Sequence, residues 1–324
     1  MTKIICTIGP SSFKKKIILE FKKLGVNLFR INLSHTKLKN LKKNIAFLKK
    51  LGIKNICIDT EGAQVRTSIV KKRFLKKNQY LNFNKKNKNS KKNSVGLYPP
   101  INFKSLKRNS IVLIGFENLA LRIIKNHENN FLAKVISEGY IDSNKGVHFQ
   151  NHLKLNDLTN KDIKAIEIAK LLKVNYFALS FAKNKKAVLK FRKLIGKKAK
   201  LISKIESKSA LKNLGGIISS SDKILIDRGD LSRYVPIEKI PIIQKKIIKK
   251  AIKSKKEVLV ATNLLETMIS NKIPTRAESN DIFCTLQDGA NGLVLAAETA
   301  IGKYPVECVK FIKKSISASK NYLG

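Results

Sequence analysis

Eight short apolar runs, each bounded by polar or turn-forming residues, recur along the chain and predict β-strands. Between most of them the apolar positions repeat with the spacing of an amphipathic helix, as in Lys161–Lys173, Ala187–Leu194 and Ile240–Lys253. Alternating strands and helices are typical of an α/β protein, and eight parallel strands close a TIM (β/α)8 barrel. The predicted strands are Ile4–Ile8, Asn27–Leu33, Asn55–Asp59, Tyr176–Phe181, Lys200–Glu206, Lys223–Asp227, Glu257–Thr262 and Gly292–Glu298.

One connection is much longer than the others, because about ninety residues separate the third predicted strand from the helix at Lys161. A segment of this length must hold a domain of its own. We therefore expect the barrel to occupy residues 1–66 and 153–324, with a small lid domain, rich in β-structure and inserted after strand 3, at residues 67–152.

The predicted insertion has two parts of different composition. The stretch Lys71–Ser94 is rich in Lys and Asn, which predicts a solvated or partly disordered segment. Later apolar runs, such as Ser110–Ile114 and Phe131–Ile136, predict strands. We expect the folded part of the insertion to lie on the C-terminal side of the barrel.

The 324 residues carry 67 Lys and Arg against 22 Asp and Glu, a formal net charge of +45. Charge alone would favour a polyanionic partner. Lysine is nevertheless spread over nearly every predicted helix, Asn and Ile are abundant, and Trp is absent, which is typical of drift in an A+T-rich coding sequence. A dedicated groove would concentrate Arg and aromatic residues on one face. We therefore expect no specific nucleic-acid partner.

Several features predict a cytoplasmic protein without a membrane partner. No apolar run approaches the roughly 18 residues that span a bilayer, and the chain opens directly into a predicted strand without a signal-peptide pattern. The four cysteines, which we expect to be buried free thiols, are far apart and form no Cys-x-x-Cys pair. They are Cys6, Cys57, Cys284 and Cys308.

Polar residues gather where the predicted strands end, and these ends meet at one mouth of a closed parallel barrel. The strand period of two places Arg30, Asn32 and Ser34 on one face of their strand, and Lys204 and Glu206 on one face of another. Other strands end in polar residues at Asp59–Thr60, Asp227–Asp230, Thr262–Asn263 and Glu298–Thr299. This set suits a divalent metal with an anionic, phosphate-bearing substrate. For any single residue, a solvated cap or a structural ion pair is the alternative.

Other chemistries have little support in the sequence. The motifs G-x-x-x-x-G-K-[ST], G-x-G-x-x-G, H-E-x-x-H and G-x-S-x-G are absent. The four histidines, at positions 35, 127, 148 and 152, have no evident nucleophile–base setting.

The strand-end residues belong to motifs that resemble those of the pyruvate kinase family. The opening Thr2–Ser12, TKIICTIGPSS, is similar to the opening of that family. In family order, Phe29–His35 resembles F-R-x-N-x-S-H, Asp59–Arg66 resembles D-T-x-G-x-x-x-R, Ser203–Glu206 resembles S-K-I-E, Arg228–Leu231 resembles R-G-D-L, Ala261–Met268 resembles A-T-x-x-L-E-x-M, and Pro274–Glu278 and Glu298–Ala300 complete the set. The resemblance covers residues 1–66 and about 155–320.

The resemblance implies a TIM-barrel phosphotransferase of glycolysis that converts phosphoenolpyruvate and ADP to pyruvate and ATP. It implies that Glu206 and Asp230 hold Mg²⁺ or Mn²⁺, and that Lys204 and Arg30 neutralise the transferring phosphoryl group. Thr262 would lie beside the enolate, and Gly229 would help to bind substrate.

The resemblance also implies a monovalent-cation site and a nucleotide site. The K⁺ ligands would be Asn32, Ser34, Asp59 and Thr60. His35, Arg66 and Lys145 match positions that approach the nucleotide, and the inserted domain would close as a lid and exclude water.

The chain departs from the family pattern at several positions. In the third-strand motif, Glu61 stands where the family has Lys, and Ala63-Gln64 stands where it has Pro-Glu. Around the R-G-D-L motif, Asp227 replaces a small residue and Ser232 replaces Gly. In the lid, the family's acidic turn is Gly115-Phe116, and its K-G-V-N-L-P-G is Lys145–Asn151, KGVHFQN.

Two other hypotheses stay open from the sequence. The barrel could bind phosphoenolpyruvate in a specialised or non-catalytic role, or the Lys-rich surface could bind a polyanion, in which case affinity would collapse with salt. After the predicted helix Pro305–Ser319 we expect no C-terminal regulatory domain. We therefore expect a monomer or a homodimer formed through the barrel, with hyperbolic saturation by phosphoenolpyruvate.

Overall fold

The computed structural model describes residues 2–85, 93–115, 119–150, 153 and 155–323. Phe116, Asn151, His152 and residues 86–92 lie outside the described residues. Within the described part of the chain, no helix combines the length and the apolar character that a membrane span requires.

Among the described residues, seventeen strands, labelled in chain order, form two closed sheets and one small sheet. Those of the first closed sheet are β1 Lys3–Thr7, β2 Leu28–Asn32, β3 Ile56–Asp59, β13 Tyr176–Leu179, β14 Lys200–Ile205, β15 Lys223–Asp227, β16 Glu257–Ala261 and β17 Gly292–Leu295. The others are β4 Val65–Thr67, β5 Arg73–Leu75, β6 Tyr80–Asn84, β7 Ser94–Tyr98, β8 Ile111–Ile114, β9 Ala120–Asn126, β10 Asn130–Ser137, β11 Gly139–Ile141 and β12 Gly146–Phe149.

Helices lie between the strands of the first sheet and after its last strand. They are α1 Lys15–Lys23, α2 Leu38–Lys50, α3 Asn160–Leu171, α4 Lys185–Ile195, α5 Lys208–Lys212, α6 Leu214–Ser220, α7 Arg228–Leu231, α8 Ile240–Lys253, α9 Arg276–Gln287, α10 Ala297–Ala300 and α11 Pro305–Leu323. Short 3₁₀ turns lie at Phe103–Ser105, Ile237–Lys239 and Glu266–Ile269.

The first sheet is a closed, all-parallel barrel of eight strands in the order β1-β17-β16-β15-β14-β13-β3-β2. The prediction of a TIM (β/α)8 barrel is therefore confirmed. The β15 and α8 boundaries match the prediction, whereas the eighth predicted strand runs too far, because Glu298 lies in α10 and not in β17. Apolar side chains such as Ile5, Ile202 and Val294 fill the barrel interior.

The chain divides into two compact units, residues 1–62 with 160–324 and residues 63–159. These junctions lie a few residues from the expected ones at 66/67 and 152/153. The first differs because Val65 and Arg66 pair with Val147 and Gly146 of the insertion.

The second unit is rich in β-structure, and its seven-stranded sheet closes in the order β10-β6-β7-β4-β12-β8-β9, with β11 and β5 paired separately. Its core contains an aromatic cluster. The ring of Phe83 stacks on that of Phe131 with their centroids 4.5 Å apart, and the ring centroid of Phe103 lies 5.3 Å from that of Phe131. The expectation that 71–94 is solvated or disordered is wrong for β5 and β6, since Leu81 and Phe83 are buried on one face of β6. The surrounding Lys and Asn residues hid this alternation.

Candidate active site at the C-terminal ends of the barrel strands

The candidate site continues the side-chain layers of the barrel interior. Ile202 of β14 and Leu225 of β15 point into the barrel core, so the period of two directs Lys204 and Asp227 to the same side, nearer the C-terminal mouth. By the same rule, Arg30 lies on the same face of its strand as the interior residue Leu28, and Asp59 lies on the same face as the interior residue Cys57. The polar side chains are thus the last interior layer of the barrel.

Lys204 is the centre of this layer, and only 4% of the residue is exposed. Its Nζ lies 2.7 Å from Glu206 Oε1, 3.1 Å from Asp227 Oδ2 and 3.4 Å from Asp59 Oδ2. Burial lowers the pKa of Lys204, but the three carboxylates outweigh burial and raise that pKa above its ordinary value. The ammonium therefore stays charged throughout the physiological pH range.

Arg30 forms a second buried cation beside Lys204. Its Nε donates to Asp59 Oδ2 at 2.7 Å, and its Nη1 donates to the Thr7 hydroxyl at 2.7 Å. Thr7 in turn donates to the Leu295 carbonyl at 2.9 Å. A guanidinium fixed at both edges keeps one orientation, which suits the recognition of an anion.

Thr262 adopts a backbone conformation that is costly for a β-branched residue, with φ of +77°. Its hydroxyl donates to Asp227 Oδ1 at 2.6 Å and accepts from the Gly229 amide at 3.3 Å. Its carbonyl accepts from Arg228 Nε at 3.0 Å and Nη2 at 2.7 Å, while Arg228 Nη1 donates to Asp281. These bonds hold the strained turn and fix the Thr262 hydroxyl at the barrel mouth.

Glu206, Asp227 and Asp230 form a cluster in which one carboxylate oxygen of each lies within 4.8 Å of the others. Burial is the main cause that raises the pKa of Glu206, and the negative charges of Asp227 and Asp230 add to it, against the opposing effect of Lys204. Glu206 Oε2 also accepts from the Phe181 amide at 2.6 Å. Hard oxygen donors crowded at this spacing fit a divalent cation such as Mg²⁺, which would relieve their mutual repulsion.

The residues predicted for K⁺ lie at the adjacent ends of β2 and β3, where Asn32 and Asp59 are register partners. The Asn32 side-chain oxygen accepts from the Ser34 amide at 3.0 Å. The Thr60 hydroxyl donates to the Ala178 carbonyl at 3.1 Å. Asp59 is fully buried against Arg30 and Lys204.

The residues predicted for the nucleotide fall in both units. His35 is an exposed residue of the barrel unit. Arg66 and Lys145 belong to the insertion. Arg66 of β4 is the register partner of Gly146 of β12, and Arg66 Nη1 donates a hydrogen bond to the Asn144 carbonyl at 3.1 Å.

Sequence reasoning missed Ser180, although it directly follows β13. Its hydroxyl lies 2.7 Å from the Thr60 carbonyl oxygen and 3.1 Å from Asp59 Oδ1, either of which can accept its single proton, and Lys204 Nζ donates to it at 3.4 Å. The signal was available, because Ala178 points into the barrel and Ser180 follows it by two.

In contrast to Ser180, Glu298 is a polar residue near a strand end whose carboxylate binds backbone amides of residues outside the proposed site. It is 2% exposed and accepts from the Ala296 amide at 2.7 Å and the Leu265 amide at 3.3 Å. Neighbouring Thr299 donates to the Thr7 carbonyl at 2.9 Å. These contacts fasten α10 to the barrel.

Fold and site together define a (β/α)8-barrel protein whose C-terminal mouth holds two buried cations and a carboxylate cluster. The family model for the barrel domain of pyruvate kinase matches residues 1–309. The chain belongs to the pyruvate kinase family. Proteins of this family generally depend on Mg²⁺ and K⁺.

Named relatives agree with this assignment. The chain is similar to the pyruvate kinase of Thermotoga maritima, with 38% identity over 97% of this chain and 70% of that protein. It is 37% identical to the pyruvate kinase of Buchnera aphidicola over 95% of this chain and 67% of that protein. For the chloroplastic isozyme G of Nicotiana tabacum, the identity is 33% over 95% of this chain and 57% of that protein. The chain thus spans between about half and about seventy per cent of these relatives' length.

Proposed function

We propose that this chain transfers a phosphoryl group from phosphoenolpyruvate to ADP, giving pyruvate and ATP in a reaction that needs a divalent cation. Family membership supports the reaction class. The observation that carries the proposal within the site is Lys204, a buried ammonium at a barrel-strand end that three carboxylates keep charged.

Lys204 and Arg30 are the groups that would receive the negative charge of the substrate. Both are at least nine-tenths buried, so their attraction for a phosphoryl oxygen is less screened than that of the many surface lysines. Their carboxylate and hydroxyl partners hold them in place before substrate arrives, and such preorganisation stabilises charge that develops in the transition state.

Glu206 and Asp230 are the proposed divalent-cation ligands. Bound Mg²⁺ would supply positive charge to the phosphoryl oxygens and would orient the substrate. The Phe181 amide holds one oxygen of Glu206, so this carboxylate is fixed toward the cluster.

Thr262 and Gly229 are proposed to position the substrate. The Thr262 turn holds its hydroxyl next to the Gly229 amide, at the N-terminal end of the short helix α7. A strained, β-branched residue that is fixed by four hydrogen bonds is typical of a functional site, where its cost of about 1–3 kcal/mol is offset by its neighbours.

The remaining assignments follow the family motifs. Asn32, Ser34, Asp59 and Thr60 would hold K⁺ as oxygen donors, and His35, Arg66 and Lys145 would contact the nucleotide.

A coupled assay with the purified protein tests the proposal. Pyruvate formation should require phosphoenolpyruvate, ADP and Mg²⁺ together, and should stop when EDTA is added. Saturable binding of phosphoenolpyruvate without turnover would instead support the non-catalytic hypothesis. Binding of polyanions that collapses between low and moderate salt, with no activity, would support the polyanion hypothesis.

A further inference from the structure

Asp227 is the residue of the site that the family motifs do not account for, since it occupies a position where the family has a small side chain. It is 8% exposed and ends β15. Its Oδ2 lies 3.1 Å from Lys204 Nζ, and its Oδ1 accepts from the Thr262 hydroxyl at 2.6 Å. A buried carboxylate at this place needs an explanation, because burying a charge is costly unless it is compensated.

Pairing with Lys204 does not by itself explain Asp227. Lys204 already has a closer carboxylate in Glu206, at 2.7 Å, and a further one in Asp59. Three carboxylates, those of Asp59, Glu206 and Asp227, therefore lie around Lys204, and Asp59 also pairs with Arg30. Asp230 lies beside Glu206 and Asp227. Arg233 adds positive charge on the Asp230 side, and its own pKa is lowered mainly by burial. With all four carboxylates ionised, their four negative charges exceed the three positive charges of Lys204, Arg30 and Arg233.

The unbalanced negative charge lies where Asp227 faces Glu206 and Asp230. One oxygen of each of these three carboxylates lies within 4.8 Å of the other two, which is the spacing of ligands around one cation. A small side chain at position 227 would leave two carboxylates there. This chain has three.

We propose that Asp227 is a third carboxylate ligand of the divalent cation and that it makes the cation bind before the anionic substrate. This inference rests on the proposed function of Glu206 and Asp230 as ligands. Three carboxylates hold a divalent cation more tightly than two, because affinity follows the charge of the ligand set. Without the cation, Asp227 repels the negative groups of phosphoenolpyruvate.

Titration with Mn²⁺ in the absence of substrate, followed by the electron paramagnetic resonance signal of the free ion, tests the first part. The variants are Asp227→Ala and the near-isosteric Asp227→Asn. The matched control is Asp288→Asn, which removes a carboxylate paired with Lys245 outside the cluster. We expect Kd for Mn²⁺ to rise at least about tenfold in both Asp227 variants, since loss of even an outer partner costs that much, and to stay unchanged in the control.

An unchanged or lower Kd in folded Asp227→Ala and Asp227→Asn would overturn the inference and leave Asp227 as a partner of Lys204 and Thr262 alone. Circular dichroism verifies folding, and the Mn²⁺-induced rise in Tm gives a second readout. The variant Asp230→Asn distinguishes a failure of this inference from a failure of the proposed function. If Asp230→Asn weakens Mn²⁺ binding and the Asp227 variants do not, this inference fails while the proposed function stands.

Calorimetric titration with phosphoenolpyruvate, in EDTA and in Mn²⁺, tests the binding order. The wild-type protein should bind phosphoenolpyruvate at least about tenfold more tightly with Mn²⁺ than without. This ratio should fall in Asp227→Ala, because the repulsion is removed. A ratio that does not change on substitution would contradict the proposed order.

Discussion

The two ends of the barrel are built from the same strands, but the ion pairs at one end are more exposed to solvent than those at the other. At the N-terminal end, the carboxylate of Glu257 contacts the ammonium groups of Lys3 and Lys223. The side chains of Lys3 and Glu257 are 36% and 39% exposed, whereas that of Lys223 is 11% exposed. At the C-terminal end, the side chain of Lys204 is 6% exposed and that of its partner Glu206 is fully buried.

The comparison teaches that burial and charge balance, more than the presence of ion pairs, distinguish a candidate active site from a structural end. At the N-terminal end two lysines share one carboxylate, and water screens the exposed pair of Lys3 and Glu257, whose contribution is about 0–1 kcal/mol. At the other end three buried carboxylates contact Lys204, one of them also pairs with Arg30, and buried hydrogen bonds compensate their charge. Conserved chemistry of a (β/α)8 barrel lies at the C-terminal mouth, while the opposite face serves stability.

Replacing one lysine at each end should give the largest contrast. Lys204→Met should lower kcat by about 10³-fold or more, because the ammonium acts on charge that develops in the transition state. Lys223→Met on the neighbouring strand should leave kcat within about twofold, because the Lys223 ammonium pairs with Glu257 at the opposite end of the barrel and does not contact the site. The coupled assay measures both, with circular dichroism to verify folding. Retention of more than about a tenth of the rate in Lys204→Met would make this lysine a structural cation.

Carboxylates at the two ends should differ in metal binding. Asp230→Asn should raise the Kd for Mn²⁺ at least about tenfold, with a smaller effect on Tm in the metal-free protein. Glu206→Gln should act in the same direction. Titration with Mn²⁺ measures these values, and unchanged affinity in both variants would remove Glu206 and Asp230 from the proposed ligand set.

Asp222 offers a matched carboxylate at the N-terminal end of β15, where it accepts from the Leu201 amide at 2.6 Å and pairs with Arg192. Burial opposes its ionisation, but these two partners outweigh burial and lower the pKa of Asp222. A lowered folded-state pKa stabilises the protein above the unfolded value of about 4, and this stability is lost as pH falls through the folded value.

Asp222→Asn should therefore lower Tm at pH 7, and the difference from wild type should shrink as the pH falls below about 4. The Kd for Mn²⁺ should not change. Thermal unfolding at several pH values measures the first effect. A difference in Tm that is independent of pH would show that the charge of Asp222 contributes nothing to stability.

Dependence on a monovalent cation should be the smallest effect. The oxygen donors Asn32, Ser34 and Thr60 are present, but Asp59 is occupied by Arg30 and Lys204, and Gln64 replaces a family Glu. We expect modest stimulation by K⁺. Equal rates in K⁺ and in tetramethylammonium, at matched ionic strength, would show that the proposed K⁺ site is not used.

Much of the barrel could be predicted because each of its strands is a short apolar run, and β15 was predicted to the residue. In contrast, β6 was hidden because Lys and Asn surround the buried Leu81 and Phe83. Within the site, the strand period located Arg30 and Lys204. The family resemblance placed Glu206 and Asp230 in one metal site, but the membership of Asp227 in that cluster could not be predicted, because it depends on distances between separate strand ends.

Backbone conformation was the other limit on prediction. Thr262 and Phe181 have φ values of +77° and +51°, which are uncommon for residues other than glycine. Both support the site, one through the Thr262 hydroxyl and the other through the amide that binds Glu206. Neither residue type signals such a conformation in a sequence.

The pairing of β4 with β12 has a consequence for how the chain reaches its fold. These strands lie near the two ends of the insertion, and Val65 is the register partner of Val147. For a flexible loop the entropic cost of closure grows with length, by about 0.6 kcal/mol per doubling. Once β4 and β12 have paired, β3 and α3 are joined by what is effectively a short connection. Pulsed hydrogen exchange during refolding should therefore protect the amides of β4 and β12 no later than those of the barrel strands.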